Sequence, residues 1–129
     1  MDFYTGDPAA ARSIPFLTVG QDRGRDYATL WRAIEGSELT VDVVCPPPRL
    51  GKGVPTSNVT LHGAVPHRRY SQLLREARTV VVPTHELAYP TGQSVALEAA
   101  ASGACVVVAA TVAMREYFED GLTAFLYAP

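Results

Sequence analysis

Apolar positions along the chain fall into two patterns that take turns. Residues 13–19 form a short apolar run closed by Gly20, which predicts a buried strand. Tyr27, Leu30, Trp31 and Ile34 then recur at i, i+3, i+4 and i+7, the stripe of an amphipathic helix, with Gly36 placed to close it. Residues 40–45 predict a second strand, 46–55 a proline- and glycine-rich loop, and 59–61 a short third strand. Tyr70, Leu73, Leu74 and Ala77 repeat the helical stripe. The β-branched run 79–82 predicts a strand cut off by Pro83. After a polar loop over 84–93, residues 94–102 predict a helix with Ser94 as N-cap and Gly103 as its stop. Residues 104–109 read as a continuous apolar strand, 112–118 as a short helix, Asp120-Gly121 as a turn and 123–127 as a last strand. Residues 1–12 carry no period and predict an arm or linker remnant ahead of a single domain over 13–129.

Strands that alternate with helices, and that read as solid apolar runs, predict a parallel sheet buried on both faces. The expected fold is therefore α/β, a Rossmann-like doubly wound sheet of about six parallel strands with helices on both faces. Ligands of such sheets sit beyond the carboxyl ends of the strands. That points to the loops over residues 20–26, 83–93 and 110–114.

Composition narrows the chemistry. Of 129 residues, 47% are hydrophobic and 19% charged, with a net charge of −2. Without a basic excess, no nucleic acid or anionic membrane is expected as a partner. Any phosphate must be gripped locally. Cys45 and Cys105 fall in apolar runs and are expected as buried, reduced thiols. His62, His67 and His85 lack metal-ligand spacing, so no metal site is expected. His62 and His67 read as surface or strand-end residues. The start lacks a signal-like h-region, which predicts a cytoplasmic protein.

Two loops hold candidate chemistry. The turn over residues 20–26 carries Arg23 and Arg25 between a strand and a helix. It reads either as a diphosphate grip or as a tight turn with solvated arginines and Asp26 capping the helix. The loop over 84–93 opens a helix whose first turn is small: Ser94, Val95, Ala96. Small residues let an anion approach the backbone N–H groups of a helix start. Glu98, one turn further in, suits a ribose diol, or else merely complements the helix dipole. His85 lies in the same loop and is a candidate functional residue. Gly92-Gln93-Ser94 lacks the final glycine of a hydrolase nucleophile elbow, so Ser94 is not expected to be a nucleophile.

Three stretches together resemble the C-terminal, donor-binding domain of family 4 retaining glycosyltransferases of the GT-B fold. They are Phe16-Leu17-Thr18-Val19-Gly20 with Arg25-Asp26-Tyr27, Asn58-Val59-Thr60-Leu61-His62-Gly63, and Val81-Val82-Pro83-Thr84 with Gly92-Gln93-Ser94-Val95-Ala96-Leu97-Glu98-Ala99. The resemblance implies that Glu98 holds the ribose of a nucleotide-sugar. It implies that Gly92, Gln93 and Ser94 meet the diphosphate and sugar, and that Arg25 contacts the phosphates as the catalytic cation. Val65, within the segment 63–66, would border the base, and Gly20, Arg23 and His85 would lie in the donor-binding loops. Gln21 stands where an arginine is common, and Pro90 where a glutamate is common. Glu86 is the candidate to replace that glutamate as a catalytic residue. The implied chemistry is sugar transfer with retention, without metal or cofactor beyond the donor. The resemblance further implies a separate N-terminal acceptor-binding domain, absent here, without which the chain transfers nothing. Loss of that domain would leave an apolar face open to homodimer formation. The alternative reading is a noncatalytic Rossmann-like module that assembles with a separate partner.

Overall fold

Parallel neighbours in a sheet need crossovers, and the direction of each crossover decides which face its helix covers. The computed structural model describes residues 12–87 and 91–129. It shows one sheet of six parallel strands in the order β3-β2-β1-β4-β5-β6. These are β1 (Ile14–Val19), β2 (Val41–Val44), β3 (Val59–Leu61), β4 (Ala77–Val82), β5 (Cys105–Ala109) and β6 (Phe125–Tyr127). The helices are α1 (Tyr27–Ile34), α2 (His67–Glu76), α3 (Gln93–Ala101) and α4 (Val112–Arg115). A 3-10 turn, Pro47–Arg49, lies between β2 and β3. The central register pairs Leu17 with Val80 and Val19 with Val44.

The crossovers from β3 through β6 all step the same way, so right-handedness puts α2, α3 and α4 on one face. Leu73 and Leu74 of α2, Ala96 and Ala99 of α3, and Met114 of α4 pack there on Leu17, Val80, Val82, Val106 and Val108. The step from β1 to β2 runs the opposite way, and α1 lands on the other face. Its stripe of Tyr27, Leu30, Trp31 and Ile34 packs on Val41 and Val43, with Phe16 and Val81 at the border. Trp31 Nε1 donates to the Leu50 carbonyl at 3.2 Å, which ties the loop after β2 to this layer. Among the described residues, the second face is covered over β2 and β1 but not over β5 and β6. There Val107 and Tyr127 are half-buried and Phe125 is 57% exposed. An apolar groove of about 300 Å³ runs along this border, lined by Phe16, Leu30, Ile34, Val81, Val107 and Tyr127 among others.

Several local expectations need correction. The N-cap of α3 is Gly92, not Ser94, because Gly92 takes φ +79° and turns the chain before Gln93. Ala77 leaves the helical stripe and opens β4, since α2 passes into the strand without a loop. The last helix stops at Arg115, and Phe118 reaches the core from the turn that follows. The last strand starts at Phe125; Ala124 is held instead in a bridge with Asp120. Both thiols are free, Cys45 buried as expected but Cys105 exposed at the start of β5. Arg12, taken by its lack of pattern into the arm, donates to the carbonyls of Leu74, Ala77 and Ser102 beneath the sheet. The rest of the arm lies outside the described residues, as does Pro90.

Tyr127 sits at the edge of the open face. Burial, reinforced by the negative charge of Asp26, pushes its phenol up from 10.0 to about 12. A raised pKa in the folded state favours the protonated phenol there. The stability it contributes is complete below pH 10 and is lost as pH rises through 12. Urea denaturation at pH 8 and pH 11 is expected to show lower stability at pH 11, with ultraviolet tyrosinate absorbance rising as the protein unfolds. Equal stability at the two values would contradict a buried phenol.

Candidate functional site

The order of strands reverses between β1 and β4, and the crevice at their carboxyl ends is where a doubly wound sheet offers a ligand site. Two loops meet there. Asp26 N–H donates to the Pro83 carbonyl at 2.9 Å, and His85 N–H to the Gly24 carbonyl at 2.8 Å. This pairing of Arg25 with Thr84 locks the turn after β1 onto the loop after β4. Asp26 also caps α1, accepting from Thr29 N–H at 3.2 Å and from its hydroxyl at 2.6 Å.

Arg25 lies inside this junction, only 8% exposed. Its Nε donates to the Val19 carbonyl at 3.1 Å. Its Nη1 reaches Asp22 Oδ2 at 3.1 Å and Thr91 Oγ1 at 3.4 Å. The Thr91 hydroxyl donates in turn to Asp22 Oδ1 at 2.8 Å. Among the described residues no acceptor is bonded to Nη2. Two glycines make room for the guanidinium. A Cβ at Gly20, where φ is +142°, would lie 2.1 Å from Arg25 Nε. One at Gly92 would lie 2.9 Å from Nη1 and 2.7 Å from a Val82 methyl. Of the two readings of this turn, the solvated-arginine one holds for Arg23, which is exposed, and fails for Arg25.

A cleft of about 300 Å³ opens beside Arg25, lined by Asp22, Thr91, Gly92, Gln93, Ser94 and Val95. It faces the first turn of α3, which has no side-chain cap and no acidic residue. Backbone N–H groups of such a turn attract anions. Val95 also lines a second, larger cleft of about 450 Å³. That cleft runs past Val19, Gly20 and Gln21, over Val44, Cys45 and Pro46, to Ala64, Val65 and His67. Tyr70 and Glu98 form its remaining wall. The Tyr70 hydroxyl donates to Glu98 Oε2. Burial pushes the Cys45 thiol up, so the thiol at the floor stays protonated and unreactive at neutral pH.

The structure thus brings Gly20, Val65 and Glu98 into one cleft and Arg25, Gly92, Gln93 and Ser94 into the adjoining one. Arg23, His85 and Glu86 line neither. His85 is half exposed with its Nδ1 3.8 Å from Asp26. The Glu86 carboxylate accepts from Val112 N–H at 3.2 Å and braces the start of α4. His62 is bonded to Asp42 at 2.7 Å on the outer strands. Sequence reasoning missed Asp22, Thr91 and Tyr70. Tyr70 was absorbed into an apolar helical stripe, where only its hydroxyl hinted at a polar partner.

A family profile described as "Glycosyl transferases group 1" matches residues 16–129. The chain belongs to the glycosyl transferases group 1 family. Among solved structures, this group 1 domain is similar to the crystal structure of TarM, with a TM-score of 0.76 at 12% sequence identity. The likeness covers 99% of this chain and 28% of that one, so the domain spans little more than a quarter of the TarM chain. No curated protein matches it.

Gly20→Ala is expected to destabilise the group 1 domain by about 3 kcal/mol, from backbone strain together with overpacking against the guanidinium. Thermal melting checks this; an unchanged midpoint would mean that Arg25 is not packed against Gly20 in solution.

Proposed function

We propose that this chain is the nucleotide-sugar-binding part of a retaining glycosyltransferase. The observation that carries the reading is that two clefts share Val95, in the first turn of α3, as a lining residue. Glu98 stands in one and the uncapped helix start with Arg25 in the other. An elongated ligand with a diol at one end and a diphosphate at the other matches this arrangement. The base would lie between Pro46 and Val65, the ribose hydroxyls on Glu98, and the diphosphate on the first turn of α3 beside Arg25.

The chemistry follows from where charge develops. As the bond from sugar to diphosphate breaks, negative charge grows on the leaving phosphate oxygens. Fixed N–H dipoles and a cation that cannot lose its proton stabilise that charge without reorganising. Arg25 suits this role because Val19, Asp22 and Thr91 hold it in place. Nη2 is the part of the guanidinium left to meet a phosphate. Glu86, committed to Val112, has no part in this scheme. The acceptor would come from a second domain, which is consistent with the 28% span of the TarM chain. The site would work in the cytoplasm, without metal or cofactor.

Calorimetric titration with UDP, GDP, ADP and dTDP tests the reading. One of the ribonucleotides is expected to bind, dTDP serving as the comparison without a 2′-hydroxyl, and Glu98→Ala to weaken the ribonucleotide at least about tenfold, the scale of a hydrogen bond to a charged group. Binding by none of the four, or equal binding by the mutant, would refute the donor site.

A further inference from the structure

Glu98 is carried on α3, but the group that fixes its carboxylate comes from α2. The Tyr70 hydroxyl donates to Glu98 Oε2, and both side chains line the same 450 Å³ cleft. We propose that Tyr70 is a positioning residue that sets the selectivity of this site for ribose over deoxyribose. The inference rests on the donor-site reading above.

The argument is one of geometry and hydrogen-bond capacity. A glutamate has three side-chain torsions and, at a helix surface lining a wet cleft, samples several rotamers. A carboxylate can accept about four hydrogen bonds on its two oxygens. Tyr70 occupies one direction on Oε2, and charge-assisted bonds of this kind are short and directional. The remaining directions, about two on Oε1 and one on Oε2, are then held in a fixed orientation on a side chain that lines the cleft. A cis diol needs such an arrangement, because its two hydroxyls must donate together. A ligand lacking the 2′-hydroxyl gains little from it.

Tyr70 is itself well anchored. Leu73 and Leu74, on the same helix, are fully buried under the sheet, and α2 runs straight into β4. The phenol is therefore a rigid reference from which the flexible glutamate is aimed. The contact joins two helices in the wall of the cleft rather than two neighbours on one helix.

The test compares UDP, GDP and ADP with their 2′-deoxy counterparts by calorimetry, on the wild-type chain, Tyr70→Phe, Tyr70→Leu and Glu98→Ala. The readout is the ratio of affinities for each ribose and deoxyribose pair. Wild type is expected to favour ribose about tenfold. Tyr70→Phe should lower ribonucleotide affinity while leaving deoxynucleotide affinity within about twofold, so that the ratio collapses towards that of Glu98→Ala. Circular dichroism confirms folding, and Tyr70→Leu serves if the phenylalanine variant does not fold. A merely structural tyrosine would weaken both members of a pair equally, and that result would overturn the inference. So would an unchanged ratio. If wild type binds a ribonucleotide and Glu98→Ala abolishes it while Tyr70→Phe keeps the ratio, only the positioning role fails. If wild type binds no nucleotide, the donor-site reading fails and the inference with it.

Discussion

The guanidinium of Arg25 sits where β1 and β4 end side by side, enclosed by the two loops that leave them. An arginine cannot shed its charge, so burial demands acceptors for its N–H groups, and Nε and Nη1 find them within the chain. The surrounding chain is arranged accordingly. Val19 offers the carbonyl at the end of its strand, Asp22 turns back to supply a counter-charge, and Thr91 reaches in from the far loop. Glycine at positions 20 and 92 follows from the same demand, since a Cβ at either place would strike the guanidinium. Gly92 is also where α3 begins. The placement of an anion-attracting helix start thus depends on a charge buried at the other end of the sequence.

Much of the architecture was legible from periodicity. The stripe of Tyr27, Leu30, Trp31 and Ile34 is long and regular enough that α1 has the bounds its pattern predicts. β3 also matches its apolar run. The misreadings share one cause. Ala77, Ser94 and Phe118 sit where local pattern is ambiguous and tertiary context decides. Ala77 is apolar on either a helix or a strand. Ser94 is a good cap in isolation, but Gly92 alone can take the left-handed turn that fits against Val82. Phe118 is buried without being helical.

The site was legible in outline only. The small first turn after Gly92 marks a candidate anion site, whereas Glu98 is singled out only by the family resemblance, its position alone suiting a dipole-complementing role equally well. What escaped was everything that depends on two distant segments meeting. Asp22 with Thr91, and Tyr70 with Glu98, are separated by 69 and 28 positions. No period in a sequence reports such pairs. Arg25 was seen, but its burial was not, because burial arises only when the second loop folds over the first.

The direct passage from α2 into β4 has a consequence for how this domain can vary. Elsewhere a loop separates helix from strand and can take up an extra residue. Here Glu76 ends the helix and Ala77 begins the strand, and nothing intervenes to absorb a change in length. One residue inserted after Tyr70 would swing its side chain by about 100° around the helix axis, if the buried leucines keep their seats. The phenol would then leave the cleft. Insertions and deletions among relatives with this site should therefore collect in the loop between β2 and β3 and avoid the last two turns of α2.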